Sequence, residues 1–223
     1  MDAADNSPED MAACLADLAR VNTLTVARPP TLRWLTRATR ELAPGASFTL
    51  LDVGCGEGDM LRAIHRSATR RGLVPHLVGI DLDPSAVRAA RAATDPALEI
   101  EFHATSVFEH TPTTRPDYVT SSLVTHHMRD DEIVHFFSWM ERNARRGWLV
   151  SDLHRHAFAY HGFRLLAQAA RWHRFVRHDG PVSIARAFRR EDWGRYLDAA
   201  QIARDVVTVQ WHVPFRWCVG RIR

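Results

Sequence analysis

Apolar positions change their period several times along the chain, and those changes mark out its elements. Phe48 to Val53 is a β-rich run that flows into a glycine turn, and Glu57 to Arg71 then follows helical spacing. The alternation continues with strand His76 to Ile80, helix Pro84 to Thr94, strand Leu98 to His103 and strand Asp117 to Ser121. Helix Asp130 to Ala144 and strand Trp148 to Asp152 follow. Strands and helices in alternation predict an α/β domain with a doubly wound, mainly parallel sheet.

Ahead of this unit, residues 9 to 20 and 29 to 42 have helical spacing. The second stretch opens at Pro29-Pro30-Thr31 and closes at Pro44-Gly45, so residues 1–44 read as an N-terminal helical appendage to a domain spanning 45–223. Behind it come a long helical stretch from about His156 to Arg177, a helix from Arg189 to Gln201, and β-like runs Val206 to Val213 and Phe215 to Val219. Pro214 favours a tight reversal, which makes the last strand antiparallel. Residues 154–182 read as a lid-like helical insertion, in which Arg177-His178-Asp179-Gly180-Pro181 is a turn.

Composition narrows the class rather than the function. The chain's 223 residues, 46% of them apolar, suffice for one buried core. Its net charge of +3 comes from 29 basic and 26 acidic residues, and every basic residue is arginine. So small an excess is no argument for a nucleic-acid or membrane partner. Cys14, Cys55 and Cys218 lack the close pairing of zinc sites or disulfide frameworks, which fits a reducing compartment. Met1 to Pro8 does not read as a signal peptide, and no apolar run approaches the ~18 residues of a membrane span. A cytoplasmic protein is expected.

The chemistry concentrates on Asp52-Val53-Gly54-Cys55-Gly56-Glu57-Gly58-Asp59. A strand ending in glycines lets backbone N–H groups and the next helix N-terminus approach a polar or anionic ligand. A dinucleotide site needs a third small residue, but Asp59 and Leu61 stand at the two positions available to it. A Walker loop needs a lysine, and the chain has none. The next strand ends at Asp81, 23 residues beyond Gly58, where a carboxylate accepts both hydrogen bonds of a ribose diol. Asp83 instead suits the cap of the helix beginning at Pro84.

Leu-Asp-Val-Gly-Cys-Gly-Glu-Gly-Asp followed by Val-Gly-Ile-Asp-Leu-Asp-Pro-Ser-Ala-Val resembles motifs I and II of the class I S-adenosylmethionine-dependent methyltransferases. The resemblance covers about Leu50 to Asp152 and is nearest to small-molecule methyltransferases such as those of quinone biosynthesis. It implies a Rossmann-like, seven-stranded sheet and S-adenosylmethionine as cofactor. By the same resemblance the turn at Asp52, Gly54, Cys55, Gly56 and Gly58 takes the methionine part, Asp81 holds the ribose and Leu82 packs on adenine. Where the family often carries an acid after the third strand this chain has Ser106, a weaker partner, with backbone groups near Val107 as the substitute. Ser121 closes the set at the end of the fourth strand.

The methyl acceptor is expected at the same sheet edge, beside Thr125-His126-His127. Histidine titrates in the range needed to take a proton from a phenol or enol, so His126 and His127 are the candidate catalytic bases. The competing reading packs one of them against the sheet. Asp152 can orient a histidine or the acceptor, and His154, Arg155 and Tyr160 can line the acceptor pocket or simply cap a helix. Nothing there has strong metal-ligand spacing, and no metal is expected.

Phe158, Leu165, Ala169, Trp172 and Val176 form one stripe of the following helix, opposite Arg164, Arg171 and Arg174. Its readings are a lid with one side in the core, an apolar acceptor pocket or, weakest, contact with an anionic membrane surface. Trp193 and Tyr196 anchor the C-terminal sheet. No Asn/Asp-Pro-Pro-aromatic motif or base-stacking array points to nucleic acid. The reading is O-methylation of a hydrophobic phenolic, quinol or polyketide-like small molecule. A catalytically silent S-adenosylmethionine-binding scaffold or sensor is the alternative, and C- or N-methylation of a small molecule ranks below it.

Overall fold

The computed structural model describes residues 28–111, 114–170 and 174–223. The predicted helix at 9 to 20 lies outside them. In chain order the elements are α1 (Arg28–Ala38), β1 (Ser47–Val53), α2 (Asp59–Thr69), β2 (Val74–Asp81), α3 (Pro84–Ala93), β3 (Glu101–Ala104) and β4 (Tyr118–Ser122). There follow α4 (Asp130–Asn143), β5 (Gly147–Leu153), α5 (Ala157–Ala169), α6 (Arg174–Arg186), α7 (Arg190–Ala199), β6 (Thr208–His212) and β7 (Arg216–Ile222).

The seven strands form one sheet in the order β3-β2-β1-β4-β5-β7-β6. Pairing from β3 through β5 is parallel, and β7 runs antiparallel to both of its neighbours. The strand order reverses between β1 and β4, and ligands of open α/β sheets bind at the carboxyl ends of the strands beside such a reversal. Alternate residues of each strand serve different cores. Leu50 of β1 packs with Leu35 of α1, Leu61 and Ile64 of α2 and Val87 of α3. Leu51 and Val53 pack with Phe136, Phe137 and Met140 of α4 and Trp193 and Leu197 of α7.

Local chemistry trims several expected boundaries. Gly58 adopts φ +73, so α2 begins at Asp59 rather than Glu57. The strand expected from Leu98 begins at Glu101, because Asp95 accepts a hydrogen bond from Ala97 N–H and caps a 3-10 turn at Pro96–Leu98. The first of the two C-terminal β-like runs is shorter at its start, where Arg204–Val206 is another 3-10 turn.

The expected long helix is two. α5 ends at Ala169, and α6 packs back against it. Arg177 to Pro181, expected as a turn, lies inside α6. The reason is steric: a Cβ on Gly180 would overlap the Phe163 ring, so the glycine is what lets the helices approach. The stripe on α5 is also inverted. Phe158 and Leu165 are 76% and 68% exposed, whereas Ala159 and Ala167 are buried. Small residues set this helix–helix contact, a signal that a count of large apolar residues overlooks. Trp172 and Arg171 lie outside the described residues.

Candidate functional site

Gly54, Gly56 and Gly58 all have positive φ, the conformation glycine adopts without strain. A side chain at Gly54 would overlap Val124, and one at Gly58 would come within 2.7 Å of the Phe102 ring. Gly56 has open space where a Cβ would stand.

The turn's own donors are largely committed. Gly54 and Cys55 N–H donate to Ile80 O at 2.8 and 3.0 Å, Gly58 N–H to Cys55 O at 2.9 Å, and Gly56 N–H to Asp81 Oδ2 at 2.9 Å. Most of these N–H groups tie the turn to the end of β2. Cys55 likewise turns its side chain into the core, where burial pushes the thiol pKa up.

What the turn presents is negative charge. Asp52 is buried, accepts a 2.7 Å hydrogen bond from Thr120 Oγ1, and has its pKa pushed up to about 7 by burial, with Asp59 and Asp81 adding to the shift. Asp59 pairs with Arg28 of α1 at 2.9 Å. Asp81 accepts from Gly56 and, through its other oxygen, from Asp83 N–H at 3.0 Å, which leaves lone pairs on both oxygens. Asp83 caps α3 through Ser85 N–H at 2.8 Å, as expected. Beside Asp81, Leu82 stands 76% exposed.

A ligand with cationic centres, a ribose diol and an apolar ring system fits these residues. The carboxylates would relieve their mutual repulsion against the cationic centres, Asp81 would take the diol, and Leu82 would cover the ring. S-adenosylmethionine has all three features.

Two expected cofactor contacts are occupied differently. Ser121 Oγ donates to Val53 O at 3.0 Å and is buried, so it staples β4 to β1 instead of facing the ligand edge. Ser106 Oγ accepts from Phe108 N–H at 3.2 Å and shapes its own turn, while Val107 puts its side chain in the core.

At the ends of β4 and β5 the structure brings two distant residues together. His126 Nδ1 lies 2.7 Å from Asp152 Oδ1, with both side chains buried. The other oxygen of Asp152 accepts from Thr125 Oγ1 at 2.5 Å and from His126 N–H at 3.2 Å, and Leu153 N–H donates to Oδ1 at 2.7 Å. Burial raises the Asp152 pKa, but the His126 charge and these hydrogen bonds outweigh it and hold the carboxyl below its ordinary range. No hydrogen bond to His126 Nε2 is seen among the described residues.

The His127 ring lies 4.1 Å from that of His126, and burial, followed by its neighbour's charge, lowers its pKa. α6 packs over this turn.

The residues expected to line an acceptor pocket have partners of their own. Arg155 reaches to Asp192 of α7 at 2.8 Å, His154 accepts from Trp211 Nε1 at 3.2 Å, and Tyr160 lies under Arg164. Sequence reasoning also overlooked Thr120, Thr125 and Arg216. Arg216 carried a readable signal, a charge inside the otherwise apolar run Phe215 to Val219.

Comparison with known proteins agrees with this geometry. Residues 50–147 match the family model of the methyltransferase domain. No curated protein matches the chain in sequence. Among solved structures, the fold is similar to the plantazolicin methyltransferase BpumL in complex with a pentazolic desmethylPZN analog and SAH. That match has 11% identity and a TM-score of 0.70, and covers 97% of this chain and 91% of the other.

It is also similar to magnesium protoporphyrin IX methyltransferase from Synechocystis PCC 6803 with bound SAM, at 15% identity, TM-score 0.58 and coverage of 98% and 86%. The CurJ carbon methyltransferase matches at 13%, 0.63 and coverage of 88% and 54%. Motif and fold agree with the family match, which covers residues 50–147 and marks that segment as a methyltransferase domain.

Proposed function

We propose that the chain O-methylates a small, hydrophobic phenolic, quinol or polyketide-like acceptor, with His126 as the base. The observation that carries this reading is the buried 2.7 Å contact between His126 Nδ1 and Asp152 Oδ1 at the carboxyl edge of the sheet. A carboxylate at Nδ1 takes that N–H and leaves the lone pair on Nε2, the tautomer a general base requires. The same carboxylate stabilises the imidazolium formed once His126 has taken the acceptor's proton. Thr125 and the two backbone N–H groups hold Asp152, so the ring is oriented before the acceptor arrives. Burial lowers the His127 pKa, and its ring packs against that of His126.

When bound, S-adenosylmethionine supplies an electrophilic methyl group. Asp52, Asp81 and Leu82 would hold it, and the chain's remaining task is to position the oxygen and exclude water. Asp, Thr and His side chains spent in this way favour an acceptor that arrives protonated, such as a phenolic hydroxyl.

The test is methyl transfer to a panel of phenolic, quinol and polyketide-like acceptors at saturating cofactor. His126→Asn lowers kcat by about 10²- to 10⁴-fold and leaves S-adenosylhomocysteine affinity intact, and His127→Asn has a smaller effect. If neither substitution slows transfer, the base assignment is wrong. Cofactor binding without transfer to any acceptor would instead favour a scaffold.

A further inference from the structure

Arg216 opens β7 and is only 1% exposed, yet among the described residues its guanidinium has a single contact within hydrogen-bond reach, Nη1 to Ser151 Oγ at 3.4 Å. Nε and Nη2 are buried with no acceptor among the described residues. Arginine keeps its charge inside proteins, so a buried and unpaired guanidinium calls for an anion. Burial lowers the Arg216 pKa and the charge of Asp152 opposes that, but no hydrogen bond joins the two. Asp152 follows Ser151 on β5 and therefore faces the opposite side of the sheet, committed to His126, Thr125 and Leu153.

The register Leu153 with Arg216 places the guanidinium at the ligand edge. Its side of β7 is the one covered by α1, since a Cβ on Gly220, four residues along, would meet Trp34. The hydroxyl of Thr31, one turn before Trp34, is a second buried group there without a partner. Arg33 adds positive charge to the same region: burial, then the charges of Arg33 and Arg216, lower the pKa of His212, the register partner of Arg216.

The two orphaned nitrogens are informative as a pair. Nε and Nη2 form the side-on edge of the planar guanidinium, which a carboxylate fills with two parallel hydrogen bonds. We propose that Arg216 anchors a carboxylate of the methyl acceptor, so that the acceptor is an aromatic or polyketide-like acid. The proposal rests on the small-molecule methyltransferase reading above.

The other source of a carboxylate is the amino-acid end of the cofactor. Position favours the acceptor. β7 adjoins β5, which carries Asp152, whereas three strand spacings, about 14 Å, separate it from β1 and the glycine turn.

Calorimetric titration with benzoate, its neutral isostere benzamide and S-adenosylhomocysteine tests this. Wild type binds benzoate about tenfold or more tighter than benzamide. Arg216→Met abolishes that preference and leaves S-adenosylhomocysteine affinity within about twofold. Should Arg216→Met not fold, Arg216→Lys keeps the charge without the fork and is expected to lose most of the preference.

Equal binding of benzoate and benzamide by wild type, or a preference that survives both substitutions, overturns the proposal. A loss of S-adenosylhomocysteine affinity in its place assigns Arg216 to the cofactor and overturns it too. Matched phenolic acids and their amides, assayed for methyl transfer, separate the two readings. Transfer without acid preference sinks only the Arg216 assignment, whereas cofactor binding with no transfer to any acceptor sinks the methyltransferase reading and the acceptor assignment together.

Discussion

Asp52 shows how a single side chain couples stability to ligand binding. Burial, with Asp59 and Asp81 nearby, raises its pKa to about 7. The folded chain then holds a proton that the unfolded chain releases near the ordinary carboxylate value of about 4. The stability this contributes is complete below that value and is lost as pH rises through about 7.

A ligand bearing an ammonium group favours the ionised carboxyl and expels the proton. The affinity for S-adenosylhomocysteine is therefore expected to climb with pH and level off above about 7, with a heat of binding that depends on buffer ionisation below the plateau. Asp52→Asn removes the ionisation while keeping an acceptor for Thr120. Its ligand-free melting temperature at mildly alkaline pH should exceed that of wild type, and its ligand affinity should fall and lose its pH dependence. Calorimetry in two buffers decides the matter, and a pH-independent wild-type affinity would disprove the coupling.

Among the elements, the helical pair α5 and α6 departs furthest from what its pattern suggests. Pro181 inside α6 removes a backbone donor, and Asp179-Gly180-Pro181 has the composition of a turn. The contact between Gly180 and Phe163 overrides both local preferences. Gly162, in α5, supplies a matched control, because a Cβ there meets nothing within 4 Å. Gly180→Ala is expected to destabilise by about 1–3 kcal/mol, and Gly162→Ala to stabilise by about 0.5–1 kcal/mol. Thermal unfolding of both variants checks this, and equal effects would mean that the two helices do not depend on close approach at Gly180. Because α6 packs over the His126 turn, Gly180→Ala should also perturb methyl transfer, whereas Gly162→Ala should not.

For the molecule as a whole, the glycine turn joins both cores to the ligand edge, with Cys55 in one and Val53 in the other. Binding there stabilises the entire domain by linkage, about 2.7 kcal/mol at a hundred times Kd. For a domain of this size that is a rise of roughly 5–11 °C in Tm. Asp81→Ala should shrink the rise at the same S-adenosylhomocysteine concentration, and a full shift in that variant would remove Asp81 from the ligand set. Much of this architecture is legible from local signals. The period changes mark every strand of the sheet, the glycines at positions 54, 56 and 58 announce the turn, and the spacing from Gly58 to Asp81 points to the ribose partner. Such signals survive because backbone sterics and pleat periodicity act over a few residues. Those local signals specify the fold class and point to the cofactor. Packing of the whole chain decides that Asp152 belongs to His126, 26 residues away, that Arg155 turns to Asp192, that Phe158 and Leu165 face outward and that no described carboxylate hydrogen-bonds the buried Arg216. Each of those depends on which strands become neighbours and which helix covers which face, and neighbourhood across a sheet is set by burial summed over the whole chain, which no short stretch encodes.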